Sequence, residues 1–239
     1  MARTEKIRVM AVMLFTLFIV MTMTSCDKGR DAYDAVSEPG ILKMRNLGEV
    51  YEAEFVQVVS STNRDPLVAG RAVDKLCREV CELPKEEAVS ILDKFINLTM
   101  AAQPPAVTNS ASKHSWPAYN ARSAWFEKMF FMFGTVFPAS LRLRNGSFEY
   151  WDVLFRFLGR YTDEISEVEK SLSTTGRGVM QQSDKRHYLL CFKGNLGTWI
   201  HITRRSVERR LGEGLTEEQK ADVMRRLDEV AKFAVLSSE

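Results

Sequence analysis

Residues 151–172 read WDVLFRFLGRYTDEISEVEKSL. Within this stretch Trp151, Leu154, Leu158, Tyr161, Ile165, Val168 and Leu172 step by three and four without a break. A spacing that averages 3.5 places all seven on one side of an α-helix, so a long helix over roughly 147–172 with a coiled-coil-like seam is predicted. The seam is too short to require a second chain and is expected to pack inside its own domain. Asn145-Gly146 supplies the turn before it.

Outward from that helix the same period recurs. Upstream, Pro117 to Phe137 holds Trp125, Phe126, Met129, Phe130, Phe131, Met132, Phe133, Val136 and Phe137. Apolar residues on nearly all sides mark a centrally buried helix or one that feeds a binding surface, and Pro138 is expected to end it. Residues 102–116 carry no period and read as a long loop. Before them, Ala88, Ile91, Leu92, Phe95 and Leu98 form one apolar face after Pro84-Lys85-Glu86-Glu87, and Ala69, Val73, Leu76, Cys77 and Val80 form another after Asp65-Pro66, an N-cap with proline at the first helical position. Leu47, Val50, Tyr51, Phe55, Val58 and Val59 give the first core helix.

Downstream, residues 173–184 read as a polar loop, and His187 to Phe192 fits either a short strand or a helical turn. Leu196, Trp199, Ile200, Thr203 and Val207 resume helical spacing. Leu215-Thr216-Glu217-Glu218-Gln219 is a capping box, followed by the stripe Val223, Leu227, Val230 and Ala234. Strand patterns are nearly absent and nothing repeats at a fixed period. The expected fold is all-α, an irregular bundle of about six or seven helices in one domain over residues 41–239.

The N-terminus has a different character. Arg3, Lys6 and Arg8 stand against Glu5, and Val9 to Thr24 is uncharged. That is the layout of an export signal, and the run is shorter than the roughly 20 residues a membrane-spanning helix needs. It ends in Met23-Thr24-Ser25-Cys26, which resembles the lipobox of bacterial lipoproteins, departing from the commonest pattern at Met23. The resemblance covers only this segment. It implies that residues 1–25 are a signal peptide and that Cys26 carries a thioether-linked diacylglyceryl group with fatty chains such as palmitate. It also implies a domain outside the cytoplasm, held to the cell envelope through the lipid on Cys26, with Asp27 resembling an inner-membrane retention signal. Residues 26–40, closing with Pro39-Gly40, are the expected flexible tether.

Without residues 1–25 the remaining 214 residues hold 30 basic and 30 acidic side chains, enough chain for one core and too balanced for a nucleic-acid binder. The neutrality hides a gradient, about −4 over residues 27–102, +7 over 103–212 and −3 over 213–239. It fits either charge matching between packed helices or a basic face of Lys185, Arg186, Arg204, Arg205, Arg209 and Arg210 leaning on anionic headgroups. Cys77, Cys81 and Cys191 are either small buried apolar groups or, in an oxidising compartment, a disulfide from Cys191 to Cys77 or Cys81.

No zinc-protease, nucleophile-elbow or phosphate-loop pattern is present, and Gly176-Arg177-Gly178 is too short to cradle a phosphate. No catalytic residue, metal ligand or cofactor is assigned. The leading functional expectation is a non-enzymatic domain that binds a protein partner or maintains envelope structure. One alternative is an enzyme assembled around His187 and His201 with Glu149 or Asp152 as the acid. Another is a carrier in which Trp116, Tyr119, Trp125, Phe126, Tyr150 and Trp151 enclose a small apolar ligand.

Overall fold

In the computed structural model the described residues are 47–61, 65–107, 116–174 and 179–234. The expected signal peptide, Cys26 and the tether lie outside them, as do His114 and Gly176 to Gly178. The described chain is all-α, with seven helices and no strand, in one helical domain. The helices are α1 (Leu47–Ser60), α2 (Pro66–Cys81), α3 (Lys85–Ala101), α4 (Trp116–Leu143), α5 (Trp151–Thr174), α6 (Val179–Ser206) and α7 (Glu217–Ala234). A 3₁₀ turn, Phe148–Tyr150, leads into α5, and a π-turn, Val207–Leu211, extends α6.

The helix starts follow local chemistry. Asp65 accepts a hydrogen bond from Leu67 N at 2.9 Å with Pro66 behind it, so α2 is capped as its sequence requires. At α7 both arms of the capping box form: Gln219 N donates to Thr216 Oγ1 at 3.2 Å and Thr216 N to Gln219 Oε1 at 2.9 Å. Lys128, 3% exposed, donates to the carbonyls of Val59 and Ser61 at 3.1 and 2.9 Å and so satisfies the end of α1 from inside α4.

Helices α2 and α3 pack on α4, α1 on α2 and α3, and α6 on α4, α5 and α7. The core between α4, α5 and α6 is aromatic. Phe130 stacks on Trp199 at 3.6 Å, Phe133 on Phe157 at 3.9 Å, and the Tyr161 ring meets Trp199 edge-on at 4.8 Å. Every seam residue of α5 from Trp151 to Val168 is buried, and Leu172 is half-buried.

Four expectations are corrected. Pro138 does not end α4, which continues to Leu143. Proline costs the helix one hydrogen bond, about 3 kcal/mol, but Ala139, Ser140 and Leu141 beyond it are all buried and offset that loss. The true terminus is Asn145-Gly146, both at positive φ (53° and 72°), with Gly146 N closing back on Leu141 O at 2.9 Å. Residues 179–184 are helix rather than loop, and of the two conformations open to His187 to Phe192 the helix is the one adopted, because Tyr188, Phe192, Leu196 and Trp199 line the buried side of one continuous α6. Helix α5 starts at Trp151, with the preceding residues in the 3₁₀ turn. Finally, α1 is an edge helix: Phe55 is its buried residue, while Val50 is 48% exposed.

Candidate functional site

The centre with the greatest chemical content is a charged cluster inside the bundle, where α4, α5 and α6 meet near the start of the 102–107 segment. Glu164 on α5 is 4% exposed. Arg122 on α4 grips it with both arms of the guanidinium, Nε to Oε1 at 2.6 Å and a terminal nitrogen to Oε2 at 2.5 Å. Tyr188 on α6 donates its hydroxyl to Oε1 at 2.8 Å. The remaining terminal nitrogen of Arg122 donates to Pro105 O at 2.9 Å. One turn before Glu164, Arg160 donates to Thr99 O at 3.0 Å and Ala102 O at 2.6 Å, its guanidinium lying 5.5 Å from the centre of the Trp125 ring. Two arginines therefore fasten the exit of α3 to the middle of the bundle.

Electrostatics follow from this burial. The Arg122 guanidinium is held above its ordinary value, first by its hydrogen bonds to Glu164. Burial pushes the Tyr188 phenol far up, and the adjacent Glu164 carboxylate adds to the effect. Tyr161, fully enclosed, is also raised by burial and donates to Phe126 O at 2.7 Å. Glu127 is raised by burial, partly offset by the Asn195 amide that donates to it at 2.8 Å. Each of these groups is satisfied by a neighbour in the chain. Among the described residues the cluster ties α4, α5 and α6 to the chain leaving α3.

The sequence-derived candidates fall in separate places. His187 and His201 are fourteen residues apart on the same helix, so about 21 Å of helix rise divides them. Glu149 is exposed and accepts from Ser147 at 2.6 Å, while Asp152 pairs with Arg226 at 2.7 Å. The structure does not bring the two histidines together. Of the aromatic candidates, Tyr119, Phe126 and Trp151 are buried, and Trp125 and Tyr150 are half-buried. Trp116 opens α4. Phe126 packs against Trp125, Tyr161 and Phe192 at 4.8–5.0 Å between ring centres, so these rings form the core.

The expected basic face is divided. Arg204 is ion-paired with Asp228 of α7. Arg205, Arg209 and Arg210 are exposed at the end of α6 and on the π-turn, interleaved with exposed Glu208 and Glu213. Half-buried Lys185 and exposed Arg186 lie at the other end of α6, about 27 Å of helix rise from Arg204. Arg144–Asp93 and Arg204–Asp228 join the basic middle segment to its acidic flanks, Arg226–Asp152 runs the opposite way, and Arg122–Glu164 and Lys193–Glu169 lie within the middle segment. The expected bridge from Cys191 to Cys77 or Cys81 is not formed. All three are thiols, Cys77 buried on α2 and Cys191 on the exposed side of α6.

The arginine–glutamate centre escaped sequence reasoning because its partners are 42 residues apart. One signal was present: Glu164 follows Phe157 by seven residues, on the same buried arc of α5. Comparison with protein-family models, with curated proteins and with solved structures returns no match.

Proposed function

We propose that this chain is a membrane-anchored lipoprotein of the cell envelope, attached through lipid on Cys26, whose helical domain is a non-enzymatic element that binds a protein partner or maintains envelope structure. The observation that carries the reading is the uncharged run Val9 to Thr24 ending at Met23-Thr24-Ser25-Cys26. Acyl chains contribute about 0.8 kcal/mol per buried methylene, so several chains on one cysteine make attachment effectively permanent. Among the described residues no helix is long and apolar enough to cross a membrane. The interior supports a non-catalytic role, since the buried charges of Glu164 and Lys128 are matched within the fold.

The test is Cys26→Ser expressed in a bacterium and followed by fractionation. The wild-type protein is expected in the membrane pellet after washing with high salt and carbonate. The variant is expected to accumulate as an uncleaved precursor. A Cys26→Ser protein processed and sedimenting like the wild type would overturn the reading.

A further inference from the structure

Helix α1 holds eight apolar side chains among its fourteen residues, yet only Phe55 is buried. Helix α3, three residues longer, buries six side chains. An edge helix is expected to keep apolar groups inward and polar groups outward, whereas a helix that is apolar on both sides is one covered on both. The inward side of α1 is Tyr51, Phe55, Val58 and Val59, with Phe55 stacked on Phe95 at 4.1 Å. Val50, Ala53 and Gln57, spaced by three and four, run along the opposite side and are all exposed. Val56 lies beside them, 41% exposed, and Val50 is 48% exposed.

The charges around this seam restrict what can cover it. Exposed Glu49 and Glu54 border Val50 and Ala53 from the two sides, and α1 has no basic residue. Among the described residues the one ion pair of α1 is Glu52 with Lys94 of α3 at 2.8 Å, away from the seam. The field at this end of α1 is negative: the Tyr51 phenol is raised by burial first and then by Glu79, Glu54, Glu82 and Glu87. Where helices pair along a seam, the seam residues supply burial and the charges flanking them choose the partner. A second α1 would set Glu49 and Glu54 against their own copies, and an anionic lipid surface would repel the same carboxylates.

We propose that the outward side of α1 is the docking site for a helix of another protein, one with apolar or small residues along its seam and Lys or Arg at the flanking positions. The inference rests on the partner-binding reading given above and names its site and the chemistry of its partner. Ala53 at the middle of the seam lets the two backbones approach closely, Val50 and Val56 lose their exposed surface, and the flanking bases pair with Glu49 and Glu54.

The test uses the full-length protein in the bacterium that makes it, carrying the photo-crosslinking residue p-benzoylphenylalanine at Ala53. Exposed Arg186 on α6 and Glu218 on α7 serve as control positions. Irradiation is expected to join Ala53 to one protein, and mass spectrometry of the joined peptides is expected to place the bond in a helical segment with Lys or Arg flanking the attachment point. Glu49→Lys/Glu54→Lys should lower the yield by about tenfold or more with the circular dichroism unchanged, since both side chains are exposed, and Glu placed at the partner's flanking bases should restore it. A bond from Ala53 to residues 27–46 of the same chain, to a second copy, to lipid or to a segment without flanking bases would overturn the proposal, as would a yield indifferent to the charge reversal. No bond at Ala53 alongside bonds at Arg186 or Glu218 would overturn this docking site alone, whereas no bond at any of the three positions would overturn partner binding itself.

Discussion

Replacing Glu164 by leucine, a side chain of similar volume, leaves the Arg122 charge and the Tyr188 hydroxyl without their acceptor inside the bundle. Three hydrogen bonds to a carboxylate, each worth about 1.5–3 kcal/mol, set a ceiling of about 4.5–9 kcal/mol. Breaking a buried ion pair from one side costs about 3–5 kcal/mol. The Arg122 side chain is 15% exposed and keeps its bond to Pro105 O, which places the expected loss at the lower end, about 3 kcal/mol. For a chain of this size about 2–4 °C of melting temperature accompanies each kcal/mol, so a fall of about 6–12 °C is expected. Urea unfolding and thermal unfolding of the mature protein, each followed by circular dichroism, measure the two quantities. The companion variant Arg122→Met/Glu164→Leu removes charge from both sides and is expected to recover most of the loss. A single variant within about 0.5 kcal/mol of wild type, or a double variant weaker than the single one, would refute a matched, desolvated pair at this centre.

Three further outcomes follow from the same structure. Glu127 keeps its proton to higher pH in the folded protein than in the unfolded chain, so the folded state holds more protons just above the ordinary glutamate range and stability falls as pH rises through it. Glu127→Gln keeps an oxygen for Asn195 and should stabilise the protein at pH 7, an advantage that fades below about pH 4; equal effects at both pH values would contradict this. The phenols of Tyr161 and Tyr188 are raised by burial, so above about pH 10 the unfolded chain loses phenolic protons that the folded one retains, and stability declines. Ultraviolet titration should show these two ionising only together with loss of helix. Gly159→Ala on α5 adds a methyl that meets nothing within 4 Å and should stabilise by about 0.5–1 kcal/mol, whereas Gly212→Ala would drive a methyl into the Val207 carbonyl and should destabilise; chemical denaturation separates the two signs.

The parts of the fold legible in sequence are those where one local rule acts alone. The α5 seam is legible because burial on one side leaves an unbroken three–four spacing, and the starts of α2 and α7 because a cap needs only residues within one turn. Helix α6 was harder to read because Leu190 and Cys191 break its polar side with exposed apolar groups, leaving strand and helix equally compatible with residues 187–192. Pro138 misled for the opposite reason. Its local penalty is real, but it is outweighed by burial of the residues after it, which only the tertiary structure reveals. The same limit hid the grip of Arg122 on Glu164.

Mass spectrometry of the N-terminus of the protein extracted from bacterial membranes bears most directly on the anchor at Cys26. The expected species starts at Cys26, lacks residues 1–25 and carries the added mass of a diacylglyceryl group on the sulfur. A chain that retains Met1, or one that starts at or beyond Cys26 without acyl groups and is released by salt alone, would contradict it.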